Sequence, residues 1–352
     1  MRTNNRYTGN KNKFILSAML LLIMAMPMIS KAQDPHFSQY FSSPMTINPA
    51  LTGKGVDDGR LMVNLRSQWW GSTGTVPYNT ETVSYEQRLA SQKTNNHNNL
   101  SFGLMMLADQ SNGGVLQNNY FTGSFAYNQA LDAEGNSMLG AGLSVTYANR
   151  LLNPDMFQFQ SQFGSMGFQR SIPSNDPVAL QSNKYWDINA GAQYSLRMTE
   201  KLGWNIGVSM FHLTSPTEGV YSNNRYQIDP RYNVQAGMQF YFADHSELHV
   251  SGMYESQYGN SIYTLGAVYK IKVVSDALET VNLGLWNRFG DAMYPYLALE
   301  GKKWVVGMSY DVVTSSVKTV YNSVSSVEFS LGWKFAGKKT STSSGKYGMV
   351  NY

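Results

Sequence analysis

Most of the chain beyond residue 60 alternates apolar residues with small or polar ones. A period of two residues is typical of a β-strand that has one apolar face. The pattern is clearest near the end of the chain. Its apolar positions there are Val327, Phe329, Leu331, Trp333 and Phe335. The same alternation recurs in 184–197 and 303–312, so these segments are predicted to be strands whose apolar side chains share one side.

Fourteen segments carry this pattern. They are residues 60–69, 79–89, 99–108, 119–130, 137–150, 184–197, 203–212, 231–242, 246–256, 261–272, 280–288, 292–299, 303–312 and 325–335. Strands of soluble proteins usually have about five or six residues, whereas a tilted membrane strand needs about 9 to 11. Bacterial outer-membrane barrels also have an even number of strands. The chain is therefore predicted to be an all-β outer-membrane β-barrel of about 14 antiparallel strands, with a soluble β-protein as the alternative.

The connections between the predicted strands have unequal lengths. Long ones follow odd-numbered strands, as in 151–183 and 213–230, and short ones follow even-numbered strands, as in 131–136 and 198–202. Outer-membrane barrels have short periplasmic turns and longer extracellular loops. The sequence therefore predicts that the barrel begins on the periplasmic side and that 151–183 is a cell-surface loop.

The first 32 residues have the composition of a secretory signal peptide. Basic residues precede an apolar run at 14–28, and Ser30 and Ala32 are the small residues expected before a cleavage site. We expect cleavage before Gln33. The predicted organisation is a signal peptide at 1–32, a periplasmic or plug segment at 33–59, the barrel at 60–335 and a polar tail at 336–352.

The amino-acid composition narrows the class of protein further. Charged residues make up 14% of the chain, against about 25% in soluble domains, and there are 23 tyrosines. The formal net charge is only +4, which argues against nucleic-acid binding. The chain has no cysteine, so a lipid anchor on a cysteine and a disulfide framework are both excluded.

Candidate catalytic and metal-binding residues are few. His245 and His249 could share one strand face, but they adjoin a predicted turn, and His212 lies near Ser209 with no acid predicted to orient it. We therefore predict no enzyme, no metal site and no cofactor. Single glycines within strands, as in LGAGLSV at 139–145, are interpreted as easing strand curvature and packing.

The block at 33–53 is aperiodic, unlike the segments that follow it. Its aromatic residues Phe37, Tyr40 and Phe41 need burial, while its prolines prevent a regular helix or ladder. Asn48 before Pro49 favours a turn. This block is predicted either to fold into the lumen or to cover its periplasmic mouth.

Several runs of residues resemble one known family. They are DPHFSQY at 34–40, NPA at 48–50 followed by Gly53, NLRSQW at 64–69, WDINAGA at 186–192, IGVSMFHL at 206–213 and GMSYDV at 307–312. Together they resemble the PorP/SprF family of outer-membrane proteins. The resemblance extends over essentially the whole chain after the signal peptide.

The resemblance implies a place in the type IX secretion and gliding machinery of Bacteroidetes, in the cell outer membrane. It implies a role in secretion or surface attachment of a large adhesin. The implied partners are periplasmic ring and motor proteins, the secreted adhesin and outer-membrane lipid. The residues expected to form a partner-binding or plug motif are Asp34, Pro35, Phe37, Ser38, Gln39, Tyr40, Asn48, Pro49, Ala50 and Gly53.

Two other functions stay open on the sequence. One is a transport channel for a small molecule, in which the N-terminal block is a plug. The other is an outer-membrane hydrolase.

Overall fold

The computed structural model describes residues 34–56, 58–69, 76–89, 98–174, 181–218, 226–273, 275, 277–315 and 325–335. The expected signal peptide, Gln33 and the polar tail at 336–352 lie outside the described residues. Residues 35 onward form one compact unit.

Eighteen strands are found within the described residues, and fourteen of them form a barrel. The barrel strands are β1 (Gly59–Gln68), β2 (Tyr78–Leu89), β3 (Asn99–Ser111), β4 (Leu116–Ala130), β5 (Ser137–Leu152), β8 (Gln181–Thr199), β9 (Leu202–Phe211), β12 (Arg231–Tyr241), β13 (Glu247–Gln257), β14 (Asn260–Lys272), β15 (Thr280–Arg288), β16 (Ala292–Glu300), β17 (Trp304–Val313) and β18 (Ser325–Phe335). The other four are the two-residue strands β6 (Phe163–Gly164), β7 (Gly167–Phe168), β10 (Thr217–Glu218) and β11 (Tyr226–Gln227). These form two small hairpins, β6 with β7 and β10 with β11.

The barrel closes by pairing its first and last strands. Every neighbouring pair is antiparallel, and β1 pairs with β18 from Gly59 opposite Phe335 to Gln68 opposite Ser326. Closure leaves no free sheet edge, which is what a backbone in contact with lipid requires. The predicted closed, 14-stranded antiparallel barrel is confirmed.

The predicted strand bounds agree with the structure to within a few residues. The strands β3, β4, β5 and β8 extend beyond their predicted bounds, and beside the long loop predicted at 151–183, β5 continues to Leu152 and β8 already begins at Gln181. Both ends continue the same ladder, because Leu152 pairs with Gln181. The loop is therefore shorter than expected at its two ends.

The strands alternate in burial as they do in hydropathy. In β16 the side chains of Ala292, Tyr294 and Tyr296 are buried inside the barrel, while Met293 and Leu297 are exposed on the outside. Exposed apolar residues recur on this outer face throughout the barrel, as expected for a surface in contact with acyl chains. The polar positions of the alternating strands consequently face the lumen.

The two ends of the barrel differ. At the end where β1 begins and β18 finishes, the connections 131–136, 200–201, 242–246 and 301–303 are short. The opposite end carries the longer connections 153–180 and 212–230. By the usual arrangement of outer-membrane barrels, the end with short turns faces the periplasm.

Within the described part of the chain, no helix is long and apolar enough to cross a membrane.

Candidate functional site: the filled lumen

The segment at 35–56, called the plug below, lies among the side chains that line the lumen. It contains three 3-10 turns, Tyr40–Ser42, Pro44–Thr46 and Pro49–Leu51. Proline begins the second and third turns, where its missing N–H breaks no hydrogen bond. This aperiodic backbone packs its successive side chains in several directions, against opposite walls of the lumen.

The start of the plug is held near the outer end of the barrel by Glu328, close to the beginning of β18. The backbone N–H groups of Ser38 and Gln39 donate to the Glu328 carboxylate at 2.7 and 2.9 Å. The Gln39 amide nitrogen donates to the Glu328 carbonyl at 2.9 Å, and Ser330 Oγ donates to Gln39 Oε1 at 2.7 Å. Gln39 is fully buried, and its side-chain amide therefore continues the wall's hydrogen bonding into the lumen.

Four lumenal charges surround this contact. Arg288 Nη2 lies 2.8 Å from Asp311 Oδ2, and Arg66 contacts both Asp311 (3.4 Å) and Glu328 (3.9 Å). The Ser38 hydroxyl donates to Asp311 at 2.7 Å. Two arginines and two carboxylates balance in charge, so removal of any one would upset the charge balance of this buried cluster.

Asn48 makes the hydrogen bonds that hold the middle of the plug. Its amide nitrogen donates to the carbonyls of Ala192 (3.1 Å) and Val208 (3.2 Å), and its oxygen accepts from Ala50 N at 2.8 Å. Asn48 thereby caps its own turn and bonds to two neighbouring strands at once. A side-chain amide supplies two N–H donors and an acceptor, whereas a protonated carboxyl group of the same size has only one donor, so the position is chemically restrictive.

Two strand glycines make room for this part of the plug. A Cβ atom at Gly142 would collide with the Pro49–Ala50 peptide, and one at Gly191 would collide with the Asn48 amide. Glycine allows this close approach between two backbones. The interpretation from the sequence, that strand glycines ease curvature and packing, is therefore incomplete at these two positions.

Aromatic contacts fill the lumen on one side of the plug. Phe41 stacks on Trp286 with ring centroids 5.4 Å apart, and it meets Tyr296 edge-on at 5.0 Å. Tyr40 meets Trp286 edge-on at 5.3 Å, and its hydroxyl lies 2.9 Å from Ser251 Oγ. Such ring pairs add about 0.5 to 1.5 kcal/mol to the effect of area burial. The plug is thus held by both polar and aromatic contacts.

At the periplasmic end, the plug joins β1 beside Glu86. The Glu86 carboxylate accepts from Gly53 N at 2.7 Å and from Arg60 Nη2 at 2.7 Å. Lys54 donates to Gln193 Oε1. Burial lowers the pKa of Lys54 from 10.5 to about 7, because the lumen replaces water around its ammonium group.

The structure brings most of the predicted motif residues together in the lumen. Phe37 and Tyr40 are only 3% and 6% exposed, so a partner could reach these side chains only if the plug left the lumen. Pro35 begins the compact unit, and Asp34 is the first described residue. Partner binding by this motif stays a prediction.

Sequence reasoning missed the lumenal residues that receive the plug. They include Glu86, Gln193, Ser209, Asn233, Arg288 and Glu328. Alternation alone places polar residues on the inner face, but it gives no indication of which of them meet the plug. The glycines on the same face were the available signal, since they mark the places of closest approach.

A carboxylate lies beside the candidate catalytic histidine, which the sequence did not reveal. Asp187 Oδ2 lies 2.9 Å from His212 Nδ1, and Thr214 Oγ1 donates to Asp187 Oδ1 at 3.0 Å. The nearby Ser209, however, donates its hydroxyl to the Ile47 carbonyl of the plug. The Ser209 hydroxyl therefore helps to hold the plug.

The two histidines His245 and His249 have different surroundings. His249 Nε2 contacts Glu247 Oε2 at 2.8 Å, while His245 has a left-handed backbone conformation in the turn before β13. Among the residues that the structure describes, no group of three histidine, cysteine, aspartate or glutamate residues could hold a metal ion.

Comparison with known protein families identifies the family to which this barrel belongs. The model of type IX secretion system membrane proteins PorP/SprF matches residues 29–333. The chain belongs to the PorP/SprF family. This family match and the barrel fold place the protein in the outer membrane, as a membrane component of type IX secretion. No curated protein sequence matches the chain.

Solved structures similar to this PorP/SprF chain are outer-membrane proteins. The toluene transporter TbuX of Ralstonia pickettii is 11% identical, with a TM-score of 0.51, and the match covers 84% of this chain and 94% of TbuX. The toluene transporter TodX of Pseudomonas putida is 8% identical, with a TM-score of 0.46, and the match covers 85% of this chain and 93% of TodX. A Pseudomonas aeruginosa FadL homologue is 12% identical, with a TM-score of 0.45, and the match covers 82% of this chain and 92% of the homologue. At such low identity the similarity to TbuX shows the fold alone.

Proposed function

We propose that this PorP/SprF protein is a non-enzymatic component of type IX secretion and gliding machinery that works through protein–protein contacts. It supports the secretion or surface attachment of a large adhesin and contacts periplasmic ring and motor proteins. The family match over residues 29–333 is the observation that carries this proposal. The filled lumen supports it, since a seated plug leaves no path for a folded protein through the barrel.

The plug is proposed to serve as a rigid internal support. Its contacts reach β2, β8, β9 and β18, because Gln39, Asn48 and Gly53 bond to the wall at separate heights. A barrel braced in this way presents its periplasmic turns and outer loops in fixed positions. Partners are therefore proposed to bind these surfaces while the plug stays seated.

A reversible crosslink between plug and wall tests this proposal. Thr52 Oγ1 lies 2.7 Å from Ser124 Oγ, and the chain has no cysteine that could compete. The double variant Thr52→Cys/Ser124→Cys can form a disulfide in the oxidising periplasm. We expect it to retain its periplasmic partners on affinity purification from membranes and to secrete the adhesin at the level of the single variant Thr52→Cys.

Reduction provides the control within the same protein. If oxidation abolishes secretion and reduction restores it, the plug must leave the lumen during function, and the proposed role of a fixed support is wrong. If the native protein purifies with no secretion component at all, the proposed function itself is wrong.

A transport channel for a small molecule is the second candidate. The similarity in fold to the toluene transporter TbuX supports it. Solute uptake into liposomes containing the purified protein separates the two functions. The first proposal predicts no uptake above that of empty liposomes, whether or not the plug is crosslinked, whereas a channel predicts uptake that the crosslink blocks.

A further inference from the structure

A small cavity lies between the plug and the wall in the periplasmic half of the lumen. About 40 Å³ of it is open to the centres of water-sized molecules, which is room for a few waters or a solute of a few heavy atoms. Its lining includes Tyr40, Phe41, Leu51, Lys54, Arg60 and Gln235. Arg60 is the second residue of β1, so the cavity lies towards the end with short turns.

Lys54 brings a positive charge to this cavity that the described part of the chain does not neutralise. Its ammonium group donates to the neutral amide of Gln193. None of the ion pairs within the described residues includes Lys54, whereas the neighbouring Arg60 pairs with Glu86. None of the described residues that line the cavity carries a carboxylate. Lys54 is partly buried, and a bound anion would offset the cost of desolvating a charge that has no counter-ion.

Gln235 provides an independent sign of a missing ligand. Its side chain is 8% exposed and lines the same cavity. Neither its amide nitrogen nor its amide oxygen has a hydrogen-bond partner among the described residues. Buried side-chain amides are nearly always hydrogen-bonded, so an unsatisfied one that faces a cavity points to a polar group within it.

The rest of the lining indicates what else the ligand carries. Tyr40, Phe41 and Leu51 present apolar surface, and a halide or a phosphate would leave that surface against water. A carboxylate with a short alkyl chain matches both parts, since its oxygens accept hydrogen bonds and its chain packs on the apolar residues.

We propose that this cavity binds a short-chain monocarboxylate of about two to four carbons, which enters from the periplasm. One carboxylate oxygen accepts from the Lys54 ammonium group and the other from the Gln235 amide N–H. The alkyl chain lies against Tyr40, Phe41 and Leu51. The bound carboxylate connects Lys54 of the plug to Gln235 of β12. Because it binds only the plugged barrel, it stabilises that state by mass action.

Propionate is the probe for the experiment. The full-length protein, purified from outer membranes into detergent, is titrated with ¹³C-labelled propionate, and binding is measured by saturation-transfer NMR and by the thermal midpoint of barrel unfolding. We expect saturable binding and a rise in the midpoint. Propionamide and sodium chloride, at the same concentration, are expected to leave the midpoint unchanged.

Three variants assign the site. Lys54→Met removes the ammonium group and is expected to weaken propionate binding at least about tenfold, the usual effect of losing a hydrogen bond to a charged group. Gln235→Leu removes the amide and is expected to weaken it as well, which keeps the test valid if Lys54→Met does not fold. Lys201→Met, in the exposed turn between β8 and β9, is the matched control and should bind like wild type.

The proposal is wrong if propionate gives no saturable signal, because the cavity then holds only water. It is also wrong if Lys54→Met binds as tightly as wild type, or if chloride raises the midpoint as much as propionate does. These outcomes leave the proposed secretion function untouched, since that function is judged by partner recovery and adhesin secretion.

Discussion

At the scale of single residues, the plug depends on side chains that act as donor and acceptor together. Asn48 is the clearest case, with two donated bonds and one accepted bond in a buried position. A buried polar group that loses its partner costs more free energy than the hydrogen bond itself contributes. Residues of this kind are therefore the most sensitive positions of the plug.

Asn48→Asp should destabilise the protein strongly. The carboxylate cannot donate to the carbonyls of Ala192 and Val208, and it places a negative charge beside them, so we expect the free energy of unfolding to fall by about 3 kcal/mol. Urea denaturation in detergent micelles measures this. Asn260→Asp, at the exposed first residue of β14, is the matched control, and equal losses in both variants would contradict the assigned role of Asn48.

Lys54 should make stability depend on pH. Burial lowers its pKa from 10.5 to about 7 in the folded protein, so between these two values the unfolded chain binds more protons than the folded one. Stability should therefore rise as pH increases from about 7 towards 10.5, and below pH 7 the full cost of burying the ammonium group remains.

The comparison with Lys54→Met isolates this effect, because Arg60, Glu86 and the other charged residues are common to both proteins. The thermal midpoint of wild type minus that of Lys54→Met should increase with pH in this window. A difference that stays constant would show that the Lys54 amine keeps its ordinary pKa.

At the scale of elements, β16 contains an interruption in the barrel's hydrogen bonding. Its ladder with β15 is continuous, but its register with β17 passes from Met293 opposite Val312 directly to Tyr296 opposite Ser309. Pro295 lies in the gap and has no N–H to donate, which is why proline is rare inside sheets. Its side chain is exposed on the outer face.

Pro295→Val should close this gap. The new N–H can donate towards Tyr310 on β17, and a β-branched side chain suits the lipid-facing strand position. We expect the free energy of unfolding to rise by about 1 kcal/mol. Leu297→Val, on the same face of β16, controls for the side chain alone. A Pro295→Val protein no more stable than wild type would mean that the interruption has another cause.

The lipid-facing register of β17 gives a second test at this scale. Met308 lies midway along the strand and is 45% exposed on the outer face. An arginine at the bilayer midplane of a barrel costs about 2 to 4 kcal/mol. Met308→Arg should therefore fold and insert into vesicles with much lower yield than Met308→Leu, and equal yields would contradict the assigned face.

At the scale of the whole molecule, the barrel's orientation follows from its unequal ends. Met166 is 88% exposed in the turn between β6 and β7, which belongs to the long connection between β5 and β8. An epitope tag inserted after Ser165 should be labelled by antibody on intact cells. A matched tag in the short turn at 131–136 should be labelled only after the outer membrane is permeabilised, and the reverse result would invert the topology.

The strands, their faces and the closed barrel were all predictable from the sequence. Side chains alternate along a strand, so the direction of each one is a local property that the pattern of hydropathy reports directly. Trp186 and Leu331, for example, lie on the exposed outer face as their alternation predicted. The resemblance of the N-terminal motif to PorP/SprF proteins was likewise a property of the sequence alone.

The position of the plug was decided only by the tertiary structure. Ser38 bonds to Glu328 across 290 residues of chain, and no local pattern encodes such a pairing. In an aperiodic segment each side chain takes its direction from the surface that receives it, and the many polar residues of the lumen are equivalent until the barrel closes. The sequence thus determined which residues face the lumen, while closure of the barrel brought Asn48, Gln39 and Lys54 to their particular partners.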